Sequence, residues 1–185
     1  MSDKDLIVCS EHMVDFFSES GRVRKITKPP GFGLISFVNS LPVLDLRNPD
    51  VASQCRQSIE FRAATPAEYL QRWLDANEIF GDDVRLESVI EWADGQVSFG
   101  ISQPQYHGEP AAAREIDHYF MASGWTPILD SSGHSIFFNY AWQLLAIDVE
   151  SRNCYINGGL LLPFDVLLCR PDEALEQYLR LYPDI

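Results

Sequence analysis

A tight turn late in the chain constrains the fold more than any other feature. The letters "NGG" at 157–159 lie between two apolar segments, "CYI" and "LLLPF". Asn-Gly and Gly-Gly pairs favour the short turns that join antiparallel strands, because the central residues of such turns take positive φ angles. The pattern predicts a β-hairpin over residues 154–165. Its tight pairing is expected to bring Asn153 and Asp165 together at one mouth.

The clearest helix signal is a capping box that starts at Thr65. Thr65 is an N-cap residue, Pro66 suits the first helical position, and Glu68 is the reciprocal acid three residues after the cap. Apolar residues then recur at spacings of three and four until "FGDD", which predicts one amphipathic helix. Two further helices are predicted in "EPAAAREIDHYFMASG", with Pro110 near its start, and in "RPDEALEQYLRLYP".

The other readable segments favour strands. β-Branched and aromatic residues predict strands in "DLIVCSE", "HMVDFF" and "RVRKIT", and a hairpin in "VRLESVIEW" and "VSFGISQP". "TPILDSSGHSIFF" and "AWQLLAID" are strand-like as well. Residues 28–64, a mixture of prolines, glycines and short apolar runs, give no clear pattern. The chain is therefore predicted to have an α+β fold.

Composition narrows the class of protein. The chain has 185 residues, enough for one substantial core, and we treat it as one folding unit. Its formal charge of −13 argues against a general affinity for nucleic-acid phosphates or for anionic membrane lipid. The four cysteines form no CxxC pair, the four histidines lack zinc-ligand spacing, and no segment resembles a signal peptide or a membrane span. We expect a cytoplasmic protein with free thiols and no structural zinc.

Three polar residues, Asp148, Asn153 and Asp165, lie within the otherwise apolar segment "AIDVESRNCYINGGLLLPFDV". Asp148 and Asn153 have the D-x-x-x-x-N spacing of a phosphotransferase catalytic loop, in which Asp accepts the proton of a hydroxyl and Asn binds Mg²⁺. The hairpin brings Asp165 to the same mouth as a further hard oxygen ligand. An alternative stays open, because Asp and Asn also cap surface turns and Asp165 is then a strand-end acid.

At these residues the sequence resembles the C-lobe core of the protein-kinase-like fold, with Asp165 of "PFDV" at the position of the metal-binding Asp. Other parts of that fold have counterparts upstream, in matching order. "GRVRKIT" resembles the strand that carries the phosphate-binding Lys, here Lys25. The capped helix resembles the helix whose Glu pairs with that Lys, and Glu68 is the first candidate and Glu78 the second. The alternative for Lys25 is a solvated charge on an edge strand, and for Glu68 a purely structural capping role.

The segment "VSFGISQPQYHGEP" resembles the strand and hinge at which adenine accepts backbone hydrogen bonds, around Ser102 and Gln103. The closer likeness is to the small kinase-like domains of polyvalent proteins from phages and plasmids, carried by "EHMV", "PAEYLQRWLDANEIFGD", "SQPQYHGEP" and "REIDHYFMASGW". The resemblance implies a reduced two-lobed fold, with a strand-rich N-lobe and one helix over about residues 1–103 and a truncated C-lobe over 104–185. It also implies ATP and Mg²⁺ as cofactors.

Several features depart from the kinase pattern. "AID" lacks the Arg that precedes the catalytic Asp, no activation loop follows Asp165, and the loop "VCSEHMV" has no glycine. Three hypotheses stay open: a serine/threonine-kinase-like phosphotransferase, a degenerate kinase fold (pseudokinase) with weak or no nucleotide binding, and a non-catalytic acidic binding protein. The last would be an immunity or antitoxin-like partner of a basic toxin, which the net charge would attract. A protein substrate also stays open.

Overall fold

The computed structural model describes residues 7–8, 11–17, 21–42, 55–130 and 133–182. These ranges form a mixed α+β, strand-rich fold with several antiparallel sheets and three α-helices. In chain order the strands are β1 (Ile7–Val8), β2 (His12–Phe17), β3 (Arg22–Thr27), β4 (Leu34–Pro42), β5 (Cys55–Ala63), β6 (Arg85–Glu91), β7 (Val97–Pro104), β8 (Glu109–Pro110), β9 (Thr126–Ile128), β10 (Ile136–Asn139), β11 (Leu144–Ile147), β12 (Cys154–Asn157), β13 (Leu160–Pro163) and β14 (Leu167–Cys169). The helices are α1 (Pro66–Phe80), α2 (Ala113–Ala122) and α3 (Glu173–Leu179). Among the described residues, no helix combines the length and the apolar character needed to span a membrane.

The first sheet has five strands in the order β1-β2-β3-β7-β6, and each strand is antiparallel to its neighbours. Side chains alternate between the faces of a strand, and on β3 the buried face carries Val23, Lys25 and Thr27. α1 packs on this face, where the Lys25 ammonium lies 5.4 Å from the centre of the Trp73 ring. The loop from β1 to β2, expected to cover phosphates, lies partly outside the described residues.

The predicted capping box is present at the start of α1. Thr65 Oγ1 accepts from the Glu68 amide at 3.3 Å, and Glu68 Oε2 accepts from the Thr65 amide at 2.7 Å. The helix ends at Gly81, whose φ of +69° is a left-handed value that glycine adopts without strain. The predicted helix is confirmed at both ends, as are the strands "HMVDFF" and "RVRKIT" and the hairpin of β6 and β7.

Residues 28–64, which show no clear pattern in the sequence, contain a long hairpin made by β4 and β5. Leu34 pairs with Ala63 at its base, and the pairing continues to Pro42 and Cys55. The hairpin packs against β14 and α3, and an apolar cluster joins them: Leu34, Ile35, Val38, Ile59, Phe61, Leu167, Leu175 and Leu179. It therefore links the region between β3 and α1 to the end of the described chain.

Two smaller sheets follow, in the orders β14-β11-β10-β9 and β13-β12-β8. Pro110, predicted at the start of a helix, instead lies in β8 and pairs with Tyr155, and α2 begins at Ala113. An edge strand tolerates a proline because its outer side needs no ladder hydrogen bond. β11 is completely buried and ends directly before Asp148. Cys154 and Cys169 are buried free thiols, whereas Cys9 lies outside the described residues.

Candidate functional site

Asp148 follows β11 and has a backbone conformation that residues with a Cβ rarely adopt. Its φ is +57°, a left-handed value that Asp adopts more readily than most residues with a side chain. The Asn153 side chain holds this turn, because its Nδ2 donates to the Asp148 carbonyl at 2.7 Å. The Glu150 amide donates to the same carbonyl at 2.9 Å. The D-x-x-x-x-N spacing thus corresponds to a direct contact.

The hairpin of β12 and β13 connects Asn153 to Asp165. Gly158 and Gly159 have φ angles of +58° and +81° at its turn, as the sequence predicts. Its open end is closed by a hydrogen bond from the Phe164 amide to the Asn153 carbonyl at 3.0 Å. Asn153 and Asp165 therefore lie at the same mouth.

Lys25 reaches this mouth from the first sheet. Its Nζ donates to Asp165 Oδ1 at 2.8 Å. The Lys25 side chain is only 8% exposed, which is unusual for a lysine. It lies on the inner face of β3, so the alternative of a solvated charge on an edge strand is wrong.

Arg72 of α1 is a second cation beside Asp165. Its Nη2 is 4.0 Å from Asp165 Oδ1, and its Nη1 donates to Glu11 Oε2 at 2.7 Å. Burial alone would raise the pKa of Asp165, but the positive charges of Lys25 and Arg72 outweigh this effect and lower the pKa to about 2. Asp165 is therefore a carboxylate throughout the neutral range.

A cavity of about 300 Å³ lies at this mouth. Its lining residues are Glu11, Leu34, Phe61, Asp148, Arg152, Asn153, Asp165 and Leu167. The three polar residues singled out in the sequence thus share one cavity, and Lys25 adjoins it through Asp165. A cavity of this size is at the lower end of the range for small-molecule sites.

Glu68 and Glu78 do not make the ion pair expected with Lys25. Glu68 is engaged by the capping box and by Arg62, whose Nη2 donates to Glu68 Oε1 at 2.7 Å. The bond from Arg62 lowers the pKa of Glu68 to about 2. Glu78 is exposed on α1. The expected Lys–Glu pair is replaced by Lys25–Asp165, since capping directs Glu68 back towards Thr65.

Ser102 and Gln103 lie within β7, next to β3. Arg24 and Val23 are their respective partners in the ladder. The Ser102 hydroxyl accepts from Arg22 at 3.0 Å and donates to Glu87 at 2.6 Å. Gln103 is 3% exposed, and its Oε1 has no hydrogen-bond partner within the described part of the chain. Its register with Val23 puts Gln103 on the same face of the sheet as Lys25.

Four residues that line the cavity or contact its lining residues were not identified from the sequence: Glu11, Arg72, His134 and Arg152. His134 Nδ1 is 2.8 Å from Asp148 Oδ1, and Arg152 Nη2 is 3.6 Å from Asp148 Oδ2. Arg152 directly precedes Asn153 in the quoted segment, so its place beside the site could have been predicted from the sequence. The others join distant parts of the chain, and no local pattern marks such contacts.

Asp82 is a buried acid near the Lys25 side chain. It follows the C-cap of α1 and accepts a hydrogen bond from Tyr106 Oη at 2.6 Å. Burial raises the pKa of Asp82 to about 6, against the opposing effects of the Tyr106 bond and the Lys25 charge. Tyr106 also stacks on Phe164, with ring centres 5.6 Å apart. Asp82 and Tyr106 therefore support the residue that precedes Asp165.

The oxygen donors at the cavity are compatible with a magnesium ion that also has ligands from outside the chain. Within the described ranges, no group of three or more His, Cys, Asp and Glu side chains is close enough to hold a metal ion by itself. Mg²⁺ is ordinarily bound through one or two carboxylates together with substrate phosphates and water. Asn153 and Asp165 offer an amide oxygen and a carboxylate on one cavity, which fits Mg²⁺ that arrives with a polyphosphate.

A larger cavity, of about 580 Å³, lies between α2 and the β12–β13 hairpin. None of the candidate catalytic, cofactor-binding or metal-binding residues predicted from the sequence lines this cavity.

Comparison of the chain with protein-family models, with curated proteins and with solved structures finds no match. The functional assignment therefore depends on the site itself.

Proposed function

We propose that this chain binds ATP with Mg²⁺ and transfers the terminal phosphoryl group to a hydroxyl acceptor. One observation carries the proposal: Asp148, Asn153 and Asp165 line one cavity, and Lys25 donates to Asp165 from 140 residues away. The reduced kinase-like architecture implied by the sequence resemblance belongs to the same proposal. In that architecture the corresponding residues occur in the same order along the chain.

The chemistry assigns a separate role to each side chain. Asp148 is the acceptor-side carboxylate, which orients the hydroxyl and takes its proton. Lys25 donates to phosphate oxygens, where a buried cation stabilises developing charge. Asn153 and Asp165 hold Mg²⁺, which would neutralise charge on the phosphates. Ser102 and Gln103 lie near the C-terminal end of β7, where the resemblance implies an adenine.

Thermal melting with and without Mg-ATP tests the binding step. A ligand that binds only the folded state at about 100 times its Kd raises the midpoint by roughly 5–10 °C for a chain of this size. We expect this rise in the wild type, and none in Asp165→Asn, which keeps the side-chain shape but removes the charge. Asp117→Asn, an exposed acid of α2, is the matched control. No rise at saturating Mg-ATP in the wild type would exclude nucleotide binding.

Transfer is measured separately with two acceptors that need no partner. Release of labelled phosphate reports transfer to water, and self-labelling from γ-labelled ATP reports transfer to the chain's own hydroxyl groups. We expect Asp148→Asn to bind Mg-ATP as the wild type does and to lose transfer. The two readouts separate binding from chemistry.

A second candidate is a degenerate site that binds nucleotide without transfer. Glu11 favours it, because a carboxylate lining the cavity repels phosphate and the same loop has no glycine. Both candidates predict the melting shift with Mg-ATP, but only the phosphotransferase predicts release of labelled phosphate. Failure of the melting shift favours the third hypothesis, an acidic binding protein that uses the net charge of −13 to attract a basic partner.

A further inference from the structure

His134 contacts the acid that is proposed to receive the acceptor proton. We propose that His134 is a positioning residue, which holds one oxygen of Asp148 so that the other faces the acceptor hydroxyl. The inference rests on the proposed function and adds to it a residue from the connection between β9 and β10.

The hydrogen bond has a defined direction. His134 Nδ1 and Asp148 Oδ1 are 2.8 Å apart. A carboxylate that is to take the acceptor proton cannot already carry one, so the proposed role of Asp148 requires Nδ1 to hold the hydrogen and donate it. The two side chains are 26% and 24% exposed. Partial removal from water strengthens a charge-assisted hydrogen bond of this kind.

Both partners are held in place by other contacts. The His134 ring packs edge-on against Phe61, with centres 5.1 Å apart and an interplanar angle of 86°. The Val149 amide donates to the Ser135 carbonyl at 3.3 Å, which ties the two neighbouring segments together. Asp148 is fixed by its left-handed backbone and by Asn153. Contacts therefore hold both members of the pair.

The second oxygen of Asp148 is left for chemistry. The nearest cation to Oδ2 is Arg152, whose Nη2 is 3.6 Å away and also lies 3.3 Å from Glu150 Oε2. That separation is too long for a hydrogen bond, and the Arg152 side chain is 66% exposed. Within the described residues, Oδ2 thus makes no short bond that an acceptor hydroxyl would have to break.

The reaction step follows from this geometry. The acceptor O–H bond breaks and its proton passes to Asp148 Oδ2. The acceptor oxygen bonds to the γ-phosphorus, and the bond from that phosphorus to the bridging oxygen breaks with its electron pair leaving on ADP. His134 touches none of the reacting atoms, and it acts by fixing the orientation of the carboxylate.

Two substitutions separate the hydrogen bond from the packing. His134→Asn keeps a donor close to the position of Nδ1 and loses the ring contact with Phe61. His134→Phe keeps the ring contact and loses the donor. We expect His134→Asn to retain kcat for phosphate release within about threefold, and His134→Phe to lose about 100-fold, the usual effect of misplacing a catalytic group by about 1 Å. The KM for ATP should stay constant in both variants.

The opposite ranking, with His134→Phe active and His134→Asn inactive, would overturn the role of the hydrogen bond. If His134→Phe fails to fold by circular dichroism, His134→Gln provides the same test, since its amide reaches the Nε2 position and not Nδ1. A wild type that binds Mg-ATP and neither releases phosphate nor labels itself overturns the proposed transfer, and with it the role of His134. If the wild type is active and the variants that lose the Nδ1 donor, His134→Phe and His134→Gln, are equally active, only the role of His134 is overturned.

A spectroscopic signature checks the contact without any turnover. The ring ¹⁵N and ¹³C shifts of His134 should report the Nδ1–H tautomer in the wild type and a shift towards Nε2–H in Asp148→Ala. An Nε2–H tautomer in the wild type would contradict the proposed donor.

Discussion

Lys25 Nζ and Asp165 Oδ1 are 2.8 Å apart, although 140 residues separate them along the chain. Each is the proposed ligand of a different partner, Lys25 of phosphate and Asp165 of magnesium. The two charges neutralise each other. In the proposed reaction the phosphates would compete with Asp165 for the Lys25 ammonium, and the carboxylate would be freed for the metal.

Lys25→Met should weaken Mg-ATP binding about tenfold or more, because a hydrogen bond to a charged group contributes about 1.5–3 kcal/mol. The methionine retains most of the buried stem, so the core packing is preserved. Calorimetric titration measures the change in Kd. The control is Arg114→Met, which removes an exposed cation from α2. An equal loss of affinity in both variants would show that only the net charge of the protein matters.

Magnesium alone should not bind tightly. Lys25 and Arg72 already surround Asp165, and the described residues contain no group of acids able to hold a metal by themselves. Mn²⁺ in place of Mg²⁺ allows the free ion to be followed by electron paramagnetic resonance. We expect the free-ion signal to persist with protein alone and to fall when ATP is added with the protein, beyond the loss that ATP causes alone. A fall with protein alone would contradict the exchange described above.

Asp82→Asn should stabilise the protein at neutral pH. The pKa of Asp82 in the folded state, about 6, is above its ordinary value of 3.8, so the folded state favours the protonated acid and loses stability as pH rises from about 4 to 6. The asparagine lacks this dependence. Its advantage over the wild type should therefore grow between pH 5 and pH 8, by about 1 kcal/mol. Urea unfolding at both pH values measures it, with Asp117→Asn as the control; a constant difference would refute the assignment.

Glu68→Gln should leave the Mg-ATP melting shift unchanged, since Glu68 bonds Thr65 and Arg62 and not Lys25. Glutamine also preserves the capping box. Thr65→Ala, in contrast, should lower the free energy of unfolding by about 1 kcal/mol through loss of the cap. Loss of the Mg-ATP melting shift in Glu68→Gln would instead support the Lys25–Glu68 pair that was predicted from the sequence.

Local chemistry explains which parts of the fold were predictable. α1 begins and ends with side chains and a glycine that act on their own neighbours, and the β12–β13 hairpin is dictated by its turn. The β4–β5 hairpin was missed because many of its residues are half-buried, so the strict alternation that identifies a strand is lost.

The site was predictable to the extent that its residues are adjacent in sequence or follow a known order. Asp148, Asn153 and Asp165 meet because one loop and one hairpin join them. The Glu11–Arg72 ion pair spans 61 residues, and only the packing of α1 on the first sheet creates it. The predicted partner of Lys25 was wrong for a different, local reason, because Thr65 and Arg62 engage Glu68.

The base of the β4–β5 hairpin contributes Leu34 and Phe61 to the same cavity as Asp148 and Asp165. The cavity therefore combines the local segment 148–167 with residues from strand ends that are far from it along the chain. Closing such long loops is entropically costly, so the cavity exists only when these distant segments are folded together. Any ligand of this cavity should consequently protect amides throughout the protein from hydrogen exchange, and not only those beside it.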